Sequence, residues 1–161
     1  MYYFDGMNTP LGRLHIVVTR DALLRIYFPS DKWNQRYERA PKHAMILRVK
    51  TQLAEYFSGE RRMFDIPLSP EGTEFQKKVW ATLRKISYGK TISYADEAKR
   101  AGKSTAVRAV GTANSKNPIP IIIPCHRVVP KAGGLGGYSG GVQRKKLLLK
   151  LEQHYNVVKK K

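Results

Sequence analysis

Cysteine occurs once in the 161 residues, acidic side chains number only 12, and long apolar runs are missing. The lone thiol, Cys125, excludes an intrachain disulfide, a four-cysteine zinc site and a Cys-x-x-Cys redox pair, and it suits a reducing compartment. No segment approaches the roughly 18 consecutive apolar residues of a membrane span. Met1-Tyr2-Tyr3-Phe4-Asp5 has no basic stretch leading into an apolar core, so it does not read as a signal peptide. The expectation is a soluble, intracellular protein with no membrane partner, cytoplasmic or associated with the nucleoid.

What is abundant is positive charge. Lys and Arg number 30, for a net charge of +18 and a pI near 10.2. Hydrophobic residues make up 42% of the chain, enough to bury a core, which excludes intrinsic disorder. A balance this basic calls for a polyanionic partner, and nucleic acid fits better than lipid. The charge is also uneven: residues 1 to 68 carry +4 and residues 69 to 161 carry +14. The second part is therefore where a polyanion would be met.

Along the chain, Arg13–Val18 and Leu23–Phe28 are β-branched or aromatic runs separated by Thr19-Arg20-Asp21, the pattern of a hairpin. After Pro41, the apolar residues Met45, Val49, Leu53 and Tyr56 recur at helical spacing until Ser58-Gly59. Ile66–Gly72 holds two prolines and a glycine without periodicity and reads as the connection between lobes. Beyond it, Thr73 and Gln76 match a capping box ahead of the stripe Phe75, Val79, Leu83 and Ile86. Ser93-Tyr94-Ala95-Asp96 opens a second helix that ends near Gly102, and Ser104 or Thr105 is expected to cap a third, from Ala106 to about Ser115. Two short helices around a glycine-containing turn, in the more basic lobe, suggest a helix-turn-helix. On the third helix Ala106, Val110 and Ala113 fall on a core side, while Arg108, Gly111, Thr112 and Ser115 form a face of mostly small groups that a backbone could approach. That face has few side chains able to read base edges, so any DNA contact should show little sequence preference. The alternative is that Gly111 and Thr112 pack beneath another element.

The chemical signal is Ile119-Pro120-Ile121-Ile122-Ile123-Pro124-Cys125-His126-Arg127-Val128-Val129. A cysteine reacts as thiolate, and neighbouring His and Arg side chains are able to stabilise one. In an extended segment the Cys125 and His126 side chains leave opposite faces, which favours a water between them. A histidine base needs its other nitrogen held, and from Ala98 onward the one acidic residue is Glu152, on a basic helix expected from Gly141 to about His154. Cys125, His126 and Glu152 thus form a nucleophile, base and orienter, unless Glu152 only neutralises its helix neighbours. Between them Gly133–Gly141 matches neither nucleotide-binding glycine pattern. It reads as a mobile pocket wall, with Tyr138 available to stack on a flat ligand, or as a plain surface loop.

These motifs resemble the methylated-DNA–protein-cysteine methyltransferases. The likeness rests on Asn117-Pro118-Ile119-Pro120 before Pro124-Cys125-His126-Arg127-Val128, on Ile92-Ser93-Tyr94, on Val107-Arg108-Ala109-Val110-Gly111 and on Gly137-Tyr138-Ser139-Gly140-Gly141, with looser support from Thr9-Pro10-Leu11-Gly12 and Leu53–Gly59. The resemblance implies an α/β fold of the α+β kind. A ribonuclease-H-like sheet lobe with a helix (1–68) acts as scaffold, and a C-terminal helical lobe (73–158) holds the helix-turn-helix and the cysteine. It implies removal of alkyl groups from the 6-oxygen of guanine, irreversibly and once per molecule. Cys125 becomes the acceptor, His126 the water-mediated base, and Glu152 its holder, with Asn117 bracing the hinge. Arg108 becomes a finger replacing the flipped nucleotide, Tyr94 presses on the backbone and bonds the guanine, and Gly111, Thr112 and Ser115 line the minor-groove face. Val128 would meet the base through its carbonyl, and Tyr138 and Ser139 through stacking and hydrogen bonding. No metal and no cofactor are expected, since the first lobe has only His15 and His43 as soft ligands. The partner is double-stranded DNA carrying 6-O-alkylguanine, bound by a monomer, and Lys159-Lys160-Lys161 is expected to be a solvated end. Competing readings are a non-enzymatic DNA-binding module with a core thiol, and a cysteine hydrolase.

Overall fold

Strands β1 (Tyr3–Thr9), β2 (Gly12–Val18) and β3 (Leu23–Tyr27) run antiparallel in turn, and the two-residue β4 (Glu38–Arg39) adds parallel to β1. The sheet order is β3-β2-β1-β4. The expected hairpin is β2 and β3, while β1, whose Asp5-Gly6 and Asn8 interrupt a β-branched pattern, carried no sequence signal. Ile16, Val17 and Val18 are all buried, which a half-solvated strand would not allow. The reason is that both faces are covered. Helix α1 (Ala44–Phe57) packs on β1 and β2 through Met45, Ile46, Val49, Leu53 and Tyr56, while Val17, Leu24 and Tyr27 form a cluster with Phe4, Trp33 and Tyr37. His43 caps α1 by accepting the Met45 amide at 3.1 Å.

The structure, a computed structural model, describes residues 1–33 and 36–160, with residues 158–160 as backbone only. The contacts divide it into two units, Met1–Glu71 and Gly72–Lys161. Ile66 is buried, and Leu68 bridges to Leu23, so the proline-rich segment is partly absorbed into the first unit. The reading of Lys159-Lys160-Lys161 as a solvated end falls outside the described side chains.

In the second unit, α2 (Glu74–Leu83) begins with the full capping box between Thr73 and Gln76. It buries Val79, Trp80 and Leu83, and the Trp80 indole donates to the Ala113 carbonyl at 2.9 Å. Helix α3 (Tyr94–Arg100) is capped by Ser93, whose hydroxyl accepts the Asp96 amide. Helix α4 (Val107–Ser115) corrects the expected cap: its N-cap is Ala106, and neither Ser104 nor Thr105 supplies a side-chain bond. Packing against α2 and α3 holds this helix instead. Val110 and Ala113 are buried and Arg108, Thr112 and Ser115 exposed, as expected, whereas Ala106, expected on the core side, is the half-buried N-cap.

Two further differences bear on the site. Cys125–Arg127 is one turn of 3-10 helix, and the preceding segment turns rather than extends. Pro118, Pro120 and Pro124 have no amide hydrogen to give a ladder, and Ile121 takes a positive φ of 76°. A β-branched residue there costs roughly 1–3 kcal/mol and persists only where the surroundings over-determine it; Ile119, Ile121 and Ile123 are all buried. Strand β6 (Val128–Val129) then pairs in parallel with β5 (Ile92–Ser93), which places the start of α3 beside the cysteine turn. Helix α5 (Val142–Lys160) continues past the expected end at His154 and packs on that same turn.

Candidate active site

The Cys125 sulfur is buried, with the residue 5% exposed, and it forms part of the wall of a cavity of about 370 Å³. Tyr94 from α3, Gly111, Asn114 and Ser115 from α4, and Gly137, Tyr138 and Ser139 from the glycine-rich loop complete the lining. Five sequence-derived candidates besides the cysteine therefore share one cavity. A Cβ added to Gly111 would touch only Tyr94 Cδ1 of α3, at 4.0 Å, so there is room beside this glycine on the cavity side. Arg108 and Thr112 lie on the exposed part of α4 and outside the lining.

Asn117 closes the turn that presents the thiol. Its Nδ2 donates to the Ile123 carbonyl at 2.8 Å and to Cys125 Sγ at 3.3 Å, and its Oδ1 accepts the Ile119 amide. The next residue, His126, is fully buried. Its Nε2 lies 2.7 Å from Glu152 Oε2, while Nδ1 has no protein partner. A carboxylate accepts, so Nε2 carries the hydrogen and Nδ1 presents a lone pair. Burial keeps the His126 pKa below its ordinary value, so the ring is neutral at rest. Burial alone would raise the Glu152 pKa, but His126 and Arg127 reverse this and hold it well below the usual carboxylate range.

Arg127 has a different part from the expected one. It does not face the sulfur: Nε and Nη2 bind Glu152 at 2.9 and 3.0 Å in a two-point pair, and Nη1 donates to the Ile86 carbonyl at 2.7 Å. Gly89 adds its amide to Glu152 Oε1 at 3.2 Å. Gly89 has a φ of +76°, and a Cβ there would sit 2.8 Å from the Asn156 side chain, so the turn that delivers this amide requires glycine. Glu152 thus pairs with the cysteine turn through His126 and Arg127 and does more than neutralise its own helix.

The cation near the sulfur is Lys145, which sequence reading passed over among its basic neighbours. It is fully buried, and its Nζ donates to the carbonyls of Val128 at 2.7 Å and Gly137 at 3.1 Å. The first contact uses one of the two lone pairs of the Val128 carbonyl, and Val128 is not among the cavity-lining residues. The second ties the glycine-rich loop down at Gly137, so the loop is not wholly mobile. Burial pushes the Cys125 thiol up to about 11, with Asn117 and Lys145 acting in the opposite direction. The resting group is therefore the thiol, and the cation that favours its ionisation is Lys145 rather than the expected Arg127.

Two segments of the chain match the two domains of 6-O-methylguanine DNA methyltransferase: residues 2–70 match the ribonuclease-like domain and residues 74–154 the DNA binding domain. The chain belongs to the methylated-DNA–protein-cysteine methyltransferase family. Methyltransferases of that name from Methanosarcina mazei and Bacillus subtilis, the latter constitutive, are 52% and 43% identical. The first alignment covers 94% of this chain and 98% of the relative, the second 95% and 96%. The fold agrees with the crystal structure of Mycobacterium tuberculosis O6-methylguanine methyltransferase, with a TM-score of 0.90, 37% identity, and coverage of 96% of this chain and 94% of that one. It agrees equally, at a TM-score of 0.90 and 38% identity over 95% and 94% of the two chains, with the same organism's OGT in complex with DNA. The α+β fold class, with its ribonuclease-like first part, is thereby established. Among the described residues no helix is long and apolar enough to cross a membrane, and no cluster of three metal-binding side chains occurs.

Proposed function

We propose that this methyltransferase repairs DNA by drawing 6-O-alkylguanine out of the duplex into the Cys125 cavity and taking the alkyl group onto its own sulfur. The supporting observation is the cavity itself, with a thiol in its wall, and the buried imidazole of the next residue, one nitrogen held by Glu152 and the other without a hydrogen-bond partner. An alkylated oxygen inside a base stack cannot reach a sulfur recessed in protein, so extrusion precedes chemistry. A pairing-impaired base costs less to extrude, which favours damaged sites.

The thiol is protonated at rest, so a base has to act. The Cys125 proton passes by way of water to His126 Nδ1, and the imidazolium that forms is stabilised by Glu152. Sulfur attacks the alkyl carbon, a carbon–sulfur bond forms as the carbon–oxygen bond breaks, and the guanine leaving group takes up the proton that His126 accepted, again by way of water, so the ring returns to its neutral form. The product is a thioether, which no second nucleophile in the cavity can reverse, so each molecule acts once. Lys145 favours the developing thiolate from across the turn.

On this reading α4 enters the minor groove with its small-residue face. Arg108 fills the gap in the stack, Tyr94 presses on the strand beside it, and Tyr138 and Ser139 engage the base. Phosphate contacts from the basic second unit supply affinity with little sequence preference, and the protein works as a monomer. Counting repaired lesions per protein molecule in excess 6-O-methylguanine duplex tests the proposal. A plateau at one equivalent is expected. Continued turnover would assign a hydrolase, and no repair with intact binding would assign a binding module.

A further inference from the structure

Glu97 has no part in the chemistry just described, yet it is completely buried on α3, beside the Cys125 cavity. Its Oε1 accepts the Asn114 side-chain amide at 2.7 Å, and Asn114 itself lines the cavity. Each partner is left with one oxygen, Glu97 Oε2 and Asn114 Oδ1. Both are buried and without a hydrogen-bond partner. Two acceptors cannot satisfy each other, but one proton on Glu97 Oε2 turns the pair into an acid–amide ring with both oxygens used.

We propose that Glu97 is a positioning residue of alkyl transfer: it is held as the neutral acid, doubly hydrogen-bonded to the cavity-lining Asn114, and so keeps a negative charge away from the reacting sulfur. The pair also locks α3 to α4, the two helices of the helix-turn-helix, next to the cavity they line. Burial pushes the Glu97 carboxyl up to about 7, which agrees with this protonation state below neutral pH. The groups facing it are Tyr94 on its own helix, Asn114 from α4, Cys125 from the 3-10 turn and Lys145 from α5. From α2, β5 and β6, which also pack on α3, no charged group among the described residues acts on it. An ionised Glu97 raises the Cys125 thiol further, against the effect of Lys145 at the sulfur, while it also favours the charged form of Lys145 itself. Rising pH therefore has two opposed effects: it eases loss of the thiol proton while charging Glu97, which disfavours thiolate.

The proposal rests on the alkyl-transfer reading for its consequence and on the geometry alone for the proton. Glu97→Gln reproduces the neutral acid, since its amide nitrogen donates to Asn114 Oδ1 and its carbonyl accepts Nδ2. Two rates are measured from pH 6 to 8.5 in wild type and variant: methyl transfer from a 6-O-methylguanine duplex, and alkylation of Cys125 by iodoacetamide, which needs no DNA. The ratio of variant to wild-type rate is expected to climb by about threefold or more across this range in both assays, the size of effect one nearby charge exerts through protein. A ratio that stays flat or falls in the iodoacetamide assay overturns the proposal. Wild type that reacts with iodoacetamide but takes no methyl from DNA sinks the alkyl-transfer reading and leaves the Glu97 result standing. If Glu97→Gln does not fold, nuclear magnetic resonance titration of the wild-type Glu97 carboxyl carbon decides: a midpoint near neutrality supports the acid–amide pair, and one below about 5 overturns it.

Discussion

The two units bury carboxylates in different ways. In the first, Asp5 is 3% exposed and is answered by Arg39 at 3.3 Å and by Lys50, cations whose own side chains reach water. In the second, Glu152 meets His126 and Arg127, which are as buried as it is, and Glu97 meets an amide. A partner in water can be regained by solvent when the pair breaks, whereas a partner without water cannot. The first arrangement is a fixing point under a scaffold. The second keeps a proton-accepting ring, a permanent charge and a thiol in fixed relation where solvent would otherwise blur their protonation.

Breaking each pair measures that difference. Glu152→Ala leaves Arg127 buried without its counter-charge and is expected to lower stability by about 3–5 kcal/mol. Asp5→Ala should cost only about 1–2 kcal/mol, because Arg39 and Lys50 turn to water; denaturant unfolding of both variants checks the ordering, and equal losses would erase the contrast. The milder Glu152→Gln separates chemistry from folding. It should slow methyl transfer by about 100-fold while leaving duplex affinity nearly intact, as read by single-turnover rates beside binding titrations.

Arg108→Ala addresses the exposed face of α4 rather than the buried network. Repair in duplex DNA should fall by about tenfold or more while transfer from a free guanine derivative changes little, since only the duplex needs its gap filled; matched losses would place Arg108 elsewhere. The charge contrast between the units predicts affinity that drops steeply between 50 and 200 mM salt, about 10³-fold for some six phosphate contacts. An effect is also expected on pH-dependent stability. A carboxyl whose folded pKa is raised contributes fully below its unfolded value and loses that contribution as pH rises, so Glu97 weakens the fold progressively from about 4.5 to about 7. Melting temperatures of wild type and Glu97→Gln should therefore diverge toward pH 8, with the variant higher, and converge toward pH 5.

What could be read in the sequence were features that depend on near neighbours. Thr73 with Gln76, Ser93 with Asp96 and the stripe along α1 are set by spacings of three and four residues, and all form. The cysteine, the histidine and the distant glutamate were also readable, because so few acids follow Ala98 that Glu152 had no rival. Arg127 was misjudged because the prolines bend Cys125–Arg127 into a turn, which sends consecutive side chains in directions an extended chain would not. Lys145 and Glu97 were missed for a different reason: each looks like an ordinary charge on a solvated helix face, and only the packing of α3, α4 and α5 around the cysteine turn buries them. Some signal existed for Asn114, which follows Val110 and Ala113 on the buried stripe of α4.

The account stands or falls on where the alkyl group ends. After incubation with duplex DNA containing 6-O-methylguanine, the mass of the proteolytic peptide that holds Cys125 should rise by one methyl group in step with loss of the lesion. Loss of the lesion with that peptide unchanged, or a methyl found on any other residue, would contradict it.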